Sequence, residues 1–584
     1  MPTSNHRRLF ALCVLVSSFT FACLGDPSTN VSSPDATPDV VEDTTQDPAD
    51  AAPDARDEPQ DRMDSTSDVG MDLSADIEPT LCEENQRVQG NVCVTCSSGT
   101  TNESGDDVAG GDTQCDDACS PVFGVTCDVV QSRYIKASNT DEKDQFGSTV
   151  AISGDTMVVG ASNEDNSATG VNPFDNNGAS NSGAAYVFVR ANGVWTQQAY
   201  LKASNAERSD SFGASVDISG DTIVVGASGE GGSSVGVNGQ DDNSAPGSGA
   251  AYVFVRSNGV WTQQAYLKAS NTDAGDRFGV SASIAGDIVV IGAPSERSNA
   301  SGVNPPDNND GMNNGAAYVF ARANGVWTQQ AYLKASNDGG YFGTSVDVSG
   351  DTVVVGAFNE DSSSVGVNGQ DNAEASSSGA AYVFVGVNGA WTQQAYLKAS
   401  NTGRGDIFGS SVTIFGDTVV VGAPDEDGSS TEVNDSDNND ALDSGAAYVF
   451  VRSNGVWTQQ AYLKADNAGE EDFFGTSVAL FEDKLVVGAA YESNSATGVN
   501  PFDNNNAPDS GAAYVFVRIN GAWTQQAYLK ASNTSMDDFF GRAVSISDNT
   551  VVVGAPGEDS STVGVDSPGD DDAPNGGAAY IYEP

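Results

Sequence analysis

The sequence predicts an all-β chain whose larger, C-terminal part closes into a seven-bladed β-propeller, and three observations predict it. A unit recurs seven times from Phe146 onward. Each unit carries two-residue turns that mark antiparallel hairpins. The array begins and ends out of phase, so that its two ends complete one unit between them.

The unit is read from its spacing. The segment FGSTVAISGDTMVVGAS at Phe146 recurs at Phe212, Phe278, Phe342, Phe408, Phe474 and Phe540. From each Phe to the Gly of the following Gly-Ala is 14 residues, and from that Gly to the Gly of GAAY is 23. The Trp of WTQQAYLKA lies 12 residues further on, in the six copies that have it. The period is 66, with one two-residue deletion near 337–341.

Four strands fit within it. The first follows Phe-Gly, and the second is TVVVGA, as at Thr352–Ala357. A Gly-Asp turn such as Gly350-Asp351 joins them, and Gly at the first turn position suits a type II′ hairpin. The third strand, AAYVFV, is joined to the fourth, WTQQAYLKA, by Asn-Gly, as at Asn192-Gly193. Asn-Gly is a strong two-residue hairpin signal.

The second and third strands are apolar almost throughout, as in sheets covered on both faces. The fourth alternates and carries a Lys in each full copy, including Lys202 and Lys268. It is expected outermost, with its lysines guarding a sheet edge. The chain enters on a lone fourth strand at 129–137 and leaves on a third strand at 578–582. A closed ring accounts for this, whereas an open stack would need capping repeats.

Phe278-Gly279 followed by Gly292-Ala293-Pro294 is the signature of FG-GAP repeats, and Phe408 with Pro424 and Phe540 with Pro556 repeat it. Residues 129–584 resemble that family, which includes the integrin alpha-chain propeller and many bacterial exported proteins. The resemblance implies a propeller and a surface binding or adhesion role. Family propellers often hold Ca²⁺ in a DxDxDG-type loop between the first two strands. Here that position is only Ser-Gly-Asp-Thr or similar, so that site does not carry over.

Four segments are expected. Residues 1–23 form a signal peptide, with Arg7 and Arg8 before a 14-residue apolar run, too short to span a bilayer. Its ending Thr20-Phe21-Ala22-Cys23 resembles a bacterial lipobox, which would make Cys23 the lipidated N-terminus of an outer-membrane or cell-surface protein. Cleavage after Ala22 and free secretion is the alternative. Residues 24–81 are rich in Asp, Pro, Thr and Ser and read as a disordered acidic linker. Residues 82–127 hold Cys82, Cys93, Cys96, Cys115, Cys119 and Cys127, read after export as three disulfides of unknown pairing. Residues 128–584 are the propeller, expected monomeric.

Composition narrows function. The chain has 25 Lys+Arg against 81 Asp+Glu, a formal net charge of −56, which excludes nucleic acid and anionic lipid as partners. Its one histidine, His6, lies in the signal segment, leaving no imidazole for acid–base work or for Zn, Cu or Fe. Any metal would need oxygen ligands, which points to Ca²⁺ or Mg²⁺.

The 1–2 and 3–4 turns leave one propeller face nearly bare, while seven loops of about twenty residues crowd the other. Within these loops a Glu, an Asn and an Asp recur. They are Glu164, Asn172 and Asp175; Glu230, Asn238 and Asp241; Glu296, Asn304 and Asp307; Glu360, Asn368 and Asp371. The later blades supply Glu426, Asn434 and Asp437, then Glu492, Asn500 and Asp503, and finally Glu558 with Asp566. One reading makes them a Ca²⁺ site; the other makes them Asx-turns and caps that fold the loop.

The leading expectation is a non-enzymatic surface protein whose acidic loop face binds a protein or carbohydrate. A hydrolase or lyase is the second, with its site where the repeats depart from symmetry, near blades four and five; a passive coat protein is the third. Arg404-Gly405-Asp406 spells an integrin-binding tripeptide, but the repeat itself accounts for its Asp.

Overall fold

The computed structural model describes residues 129–584, except 338, 436, 437 and 568, and four short strands before them. In the neck, Gln86–Val88 pairs antiparallel with Cys93–Thr95, and Thr100–Thr101 with Asp116–Asp117. Cys23, the linker 24–81, and Cys82, Cys96, Cys115, Cys119 and Cys127 lie outside the described residues. Of Cys93 only the backbone, opening its strand, is described.

The propeller has seven blades, each an antiparallel sheet in the order first, second, third, fourth strand. Blade 1 comprises Thr149–Ser153, Thr156–Ala161, Ala184–Ala191 and Val194–Leu201. Closure follows the phase argument: Val130–Ile135 pairs with Ala578–Glu583, so the N-terminal strand is the outer strand of blade 7. The turns also obey their sequences. Asn192 and Gly193 both have positive φ, of 51° and 75°, as a type I′ hairpin requires.

The Phe-Gly and Gly-Ala elements are one contact seen from two sides. Gly213, in blade 2, has φ of 93°, and a Cβ there would overlap the carbonyl oxygen of Ala184 in blade 1. A Cβ on Gly160, the Gly-Ala glycine of blade 1, would overlap the carbonyl oxygen of Gly213. Adjacent blades therefore touch backbone to backbone, which only glycine permits. Phe212 is fully buried, edge-on to Tyr252 at 5.3 Å.

The fourth strand carries a β-bulge, for Val187 pairs with Ala199 but Phe188 with Gln197. The leftover residue, Gln198, is thereby aimed at the next blade. Its Oε1 accepts from Trp261 Nε1 at 2.7 Å and from Arg256 Nη1 at 3.2 Å. Arg256 lies 5.0 Å over the Trp261 ring and donates to Asp221 at 2.6 Å. At the ring closure Ser132 stands where other blades have this Gln, and Trp195 Nε1 is buried without an acceptor. Arg190 bonds Glu583 there.

The fourth strand is not the outermost element along its whole length. Each long loop swings across the blade top and reaches its outer edge, where Val171 bridges Leu201 and Gly302–Val303 pairs with Leu333 and Lys334. The loop itself thus covers the edge that the lysines were expected to guard.

Candidate functional site

The recurring loop residues converge on the end of the fourth strand. Glu164 is 1% exposed, and its Oε2 accepts from Lys202 Nζ at 2.6 Å. Its Oε1 accepts from Tyr200 Oη at 2.6 Å and from Asn139 Nδ2 at 3.3 Å. The same ion pair forms in all seven blades, at 2.5–3.0 Å. The expectation of edge-guarding lysines is therefore corrected: Lys202 is fully buried and also donates to Ser182 Oγ and the Gly183 carbonyl. Burial pulls its pKa down against the pull of Glu164.

The recurring Asn pins the loop to the strand. Asn172, at φ 52°, accepts at Oδ1 from Tyr200 N at 2.8 Å, while its own N donates to the Tyr200 carbonyl. Asn238, Asn304, Asn368, Asn434, Asn500 and Asp566 do the same. The third residue sits higher. Asp175 Oδ2 accepts from Asn139 Nδ2 at 3.0 Å, with Asp241 and Asp503 alike, whereas Asp307 and Asp371 are exposed. Asp437 lies outside the described residues. Among the described residues no three His, Cys, Asp or Glu side chains gather as a metal site. Asp406 is buried, accepting from Gly403 N at 2.6 Å, so the Arg-Gly-Asp tripeptide is not presented as a flexible tip.

Asymmetry lies in the central channel, whose wall is made of the seven first strands. One inward-facing position reads Ala151, Asp217, Ser283, Asp347, Thr413, Ala479 and Ser545 around the ring. Ser283 Oγ lies 2.9 Å from Asp217 Oδ2 and 2.7 Å from Asp347 Oδ1. Asp217 also accepts from Ile284 N and Ile218 N, and Asp347 from Ile414 N, Val348 N and Thr413 Oγ1. Enclosure by the channel walls, then the nearby Asp347 charge, pushes Asp217 up to about 7. Asp347 is raised too, by burial. Two residues further toward the bare face the ring reads Ser153, Ser219, Ala285, Ser349, Phe415, Phe481 and Ser547, and the two Phe rings lie 5.1 Å apart. These residues enclose a chamber of about 430 Å³.

At the loop-face end the channel opens through a second recess, of about 250 Å³, into which Arg542 is set. Its equivalents are Ser148, Ala214, Val280, Thr344, Ser410 and Thr476. Burial lowers the Arg542 pKa, opposed by Tyr491. Tyr491 lies 4.9 Å from Phe473 and 5.4 Å from Phe539, a shelf of three half-buried rings across blades 6 and 7. Arg277 and Tyr341 stand at the Phe473 position in blades 3 and 4, and Tyr341 stacks at 5.2 Å on Phe358, one residue before the Tyr491 position. Among the described residues neither Arg277 nor Arg542 has a carboxylate within ion-pair distance, whereas Arg190, Arg256, Arg322, Arg452 and Arg518 all do. Further out, Phe174 and Phe502 are each 87% exposed at the loop tips of blades 1 and 6.

Sequence reasoning missed the channel residues. Their only signal was variation among near-identical repeats at positions flanking the invariant Phe-Gly, and strand order was needed to show that those positions face inward.

No curated protein matches the chain. Among solved structures, a Bacteroides uniformis protein provisionally classed as a 6-phosphogluconolactonase is similar at 9% identity. The match covers 70% of this chain and 98% of that one, with a TM-score of 0.39, and carries no functional argument. The FG-GAP repeat model matches seven times, over 129–188, 195–254, 261–320, 327–384, 391–450, 457–516 and 523–582. Seven consecutive matches on seven blades place the chain in the FG-GAP repeat family.

Proposed function

We propose that the chain is a cell-surface-tethered, non-enzymatic binding protein that holds a carbohydrate bearing a carboxylate on its loop face. The observation that carries this reading is Arg542, set in the recess at the channel mouth and facing Tyr491 of the Phe473, Tyr491 and Phe539 shelf. Half-buried aromatic rings offer flat apolar area to a sugar ring, and aromatic and Arg side chains dominate binding energy where they cluster. A half-buried guanidinium without a carboxylate favours an incoming one, in bidentate geometry. At a net charge of −56 a long polyanion is repelled, so an isolated acidic group on an otherwise neutral glycan fits best. Lipidation at Cys23 and the acidic linker 24–81 would hold the domain clear of the membrane.

Calcium has no evident part in this scheme, because the seven recurring glutamates already accept from Lys and Tyr. Glycan-array binding of the purified protein tests the reading. Acidic glycans should score, and Arg542→Thr or Tyr491→Asn should weaken them at least ~10-fold, about 1.4 kcal/mol. Both substitutions install residues that sibling blades carry at the same position. Equal binding by wild type and both variants, or no glycan bound at all, would overturn it, the latter favouring a passive coat protein.

A further inference from the structure

We propose that the chamber at the bare-face end of the channel is a second binding site, for a small organic ammonium ion. The inference is independent of the loop face and rests on three features of one cavity.

The first is size and lining. At about 430 Å³ the chamber is within the range of small-molecule sites. Asp217 and Asp347 are its only titratable lining residues, and both are half-buried, so they meet solvent within the channel. No fixed positive charge competes for them there.

The second is the aromatic rim. Phe415 and Phe481 occupy a position that is Ser or Ala in the other five blades, and Phe415 is 39% exposed. A pair of rings on a channel wall loses hydrophobic stabilisation unless something covers it. The carboxyl level lies two strand residues deeper, roughly 7 Å. An ammonium on a short apolar stem spans that distance, with its charge at the carboxyls and its body against the rings. Ring faces also attract cations directly. A bare metal ion would ignore the rings, and calcium would want more oxygens than two carboxyls already bonded to main-chain amides can offer.

The third is hydrogen-bond stoichiometry. Ser283 has one hydroxyl proton but lies within bonding distance of both carboxyls. It can donate to only one at a time, so both contacts are hydrogen bonds only when the other carboxyl carries a proton and donates to Ser283. An ammonium arriving between them replaces that proton as the counter-charge, so binding releases up to one proton.

The test is calorimetric titration of the full-length protein at pH 7 with phenethylammonium, with 2-phenylethanol and 3-phenylpropionate as controls. Saturable binding of the amine is expected, at least ~10-fold tighter than either control. Repeating it in buffers of different ionisation heat should reveal proton release. Asp217→Ser with Asp347→Ser, and separately Phe415→Ser with Phe481→Ser, should each weaken binding at least ~10-fold. Sibling blades already carry serine at both levels, so folding is preserved, as melting temperatures no lower than that of the wild type would verify. Absence of saturable heat up to about 10 mM amine, equal binding of the alcohol, or undiminished binding by either double variant would overturn the proposal.

Discussion

The buried Glu–Lys pair offers a sharp energetic test of the propeller, and blade 4 is a convenient place for it. Lys398 is fully buried, with Nζ 2.8 Å from Glu360 Oε2, 2.8 Å from Ser378 Oγ and 2.5 Å from the Gly379 carbonyl. Glu360 also accepts from Tyr396 Oη and Asn337 Nδ2, each at 2.9 Å. Glu360→Gln keeps one acceptor for those two neutral donors, removes the charge, and puts an amide nitrogen where Oε2 faced Lys398 Nζ and Ser362 N. The lysine is then a buried cation without a counter-ion, a loss of about 3–5 kcal/mol.

For a propeller of about 450 residues, unfolding entropy near 60 °C is roughly 1 kcal/mol per kelvin, so the melting temperature should fall by about 3–5 °C. Burial already lowers the Lys398 pKa, and losing Glu360 lowers it further. In the variant, the deficit should therefore shrink at alkaline pH, as the folded lysine sheds its proton before the unfolded one does. Adding Lys398→Met removes the stranded charge and should recover most of the loss. Differential scanning calorimetry of the single and double variants measures all three outcomes. A fall below 1 °C for Glu360→Gln, or a double variant less stable than the single, would refute the ion pair as a source of stability.

Acidification should stabilise the fold within a defined window. Burial raises Asp144, Asp210 and Asp538 to about 8, and Asp276 and Asp472 to about 7. Unfolded, they would ionise near 3.9, so between about pH 4 and 8 the folded state holds protons that the unfolded state has released. Melting temperature should accordingly rise from pH 8 to pH 5, and a fall would contradict it. Ser132→Gln should supply the acceptor that Trp195 Nε1 lacks, adding about 1–2 kcal/mol and raising the melting temperature by a similar number of degrees. Millimolar Ca²⁺ should leave calorimetric heat and melting temperature unchanged, since the recurring Glu carboxylates are engaged by protein donors; a clear rise would reinstate a calcium site.

Most of the frame was legible because its signals are local. Asn192-Gly193 announces its own turn, and the stray strand at 129–137 announces closure. Lys202 was misread because alternation in WTQQAYLKA resembles a half-wet strand. The period cannot show a loop folding back to bring Glu164 over the lysine, 38 residues away in sequence. The bulge at Gln198 was also invisible, since it shifts which side the second half of the strand presents. Most of all, Asp217 and Phe415 look like noise in a repeat until the first strand is known to be innermost.

That placement changes how the repeat is to be weighed. The fourth strand WTQQAYLKA is identical in six copies, and AAYVF recurs in six third strands. Structural demand explains this sameness, because every blade needs the same bulge and the same ion pair, and four of the seven junctions share the Trp–Gln latch. The inward position of the first strand, by contrast, takes four residue types in seven copies. A wall that only had to fill space would tolerate the Ala found in blades 1 and 6 throughout. Instead two blades place a carboxyl there, two others add a Phe at the rim, and one sets an arginine at the opposite mouth. Burying such groups costs stability in a symmetric frame that could do without them. The charged and aromatic departures facing the channel at both ends are where a ligand would recover that cost, whereas the recurring polar groups of the long loops are spent on bonds to their own blades.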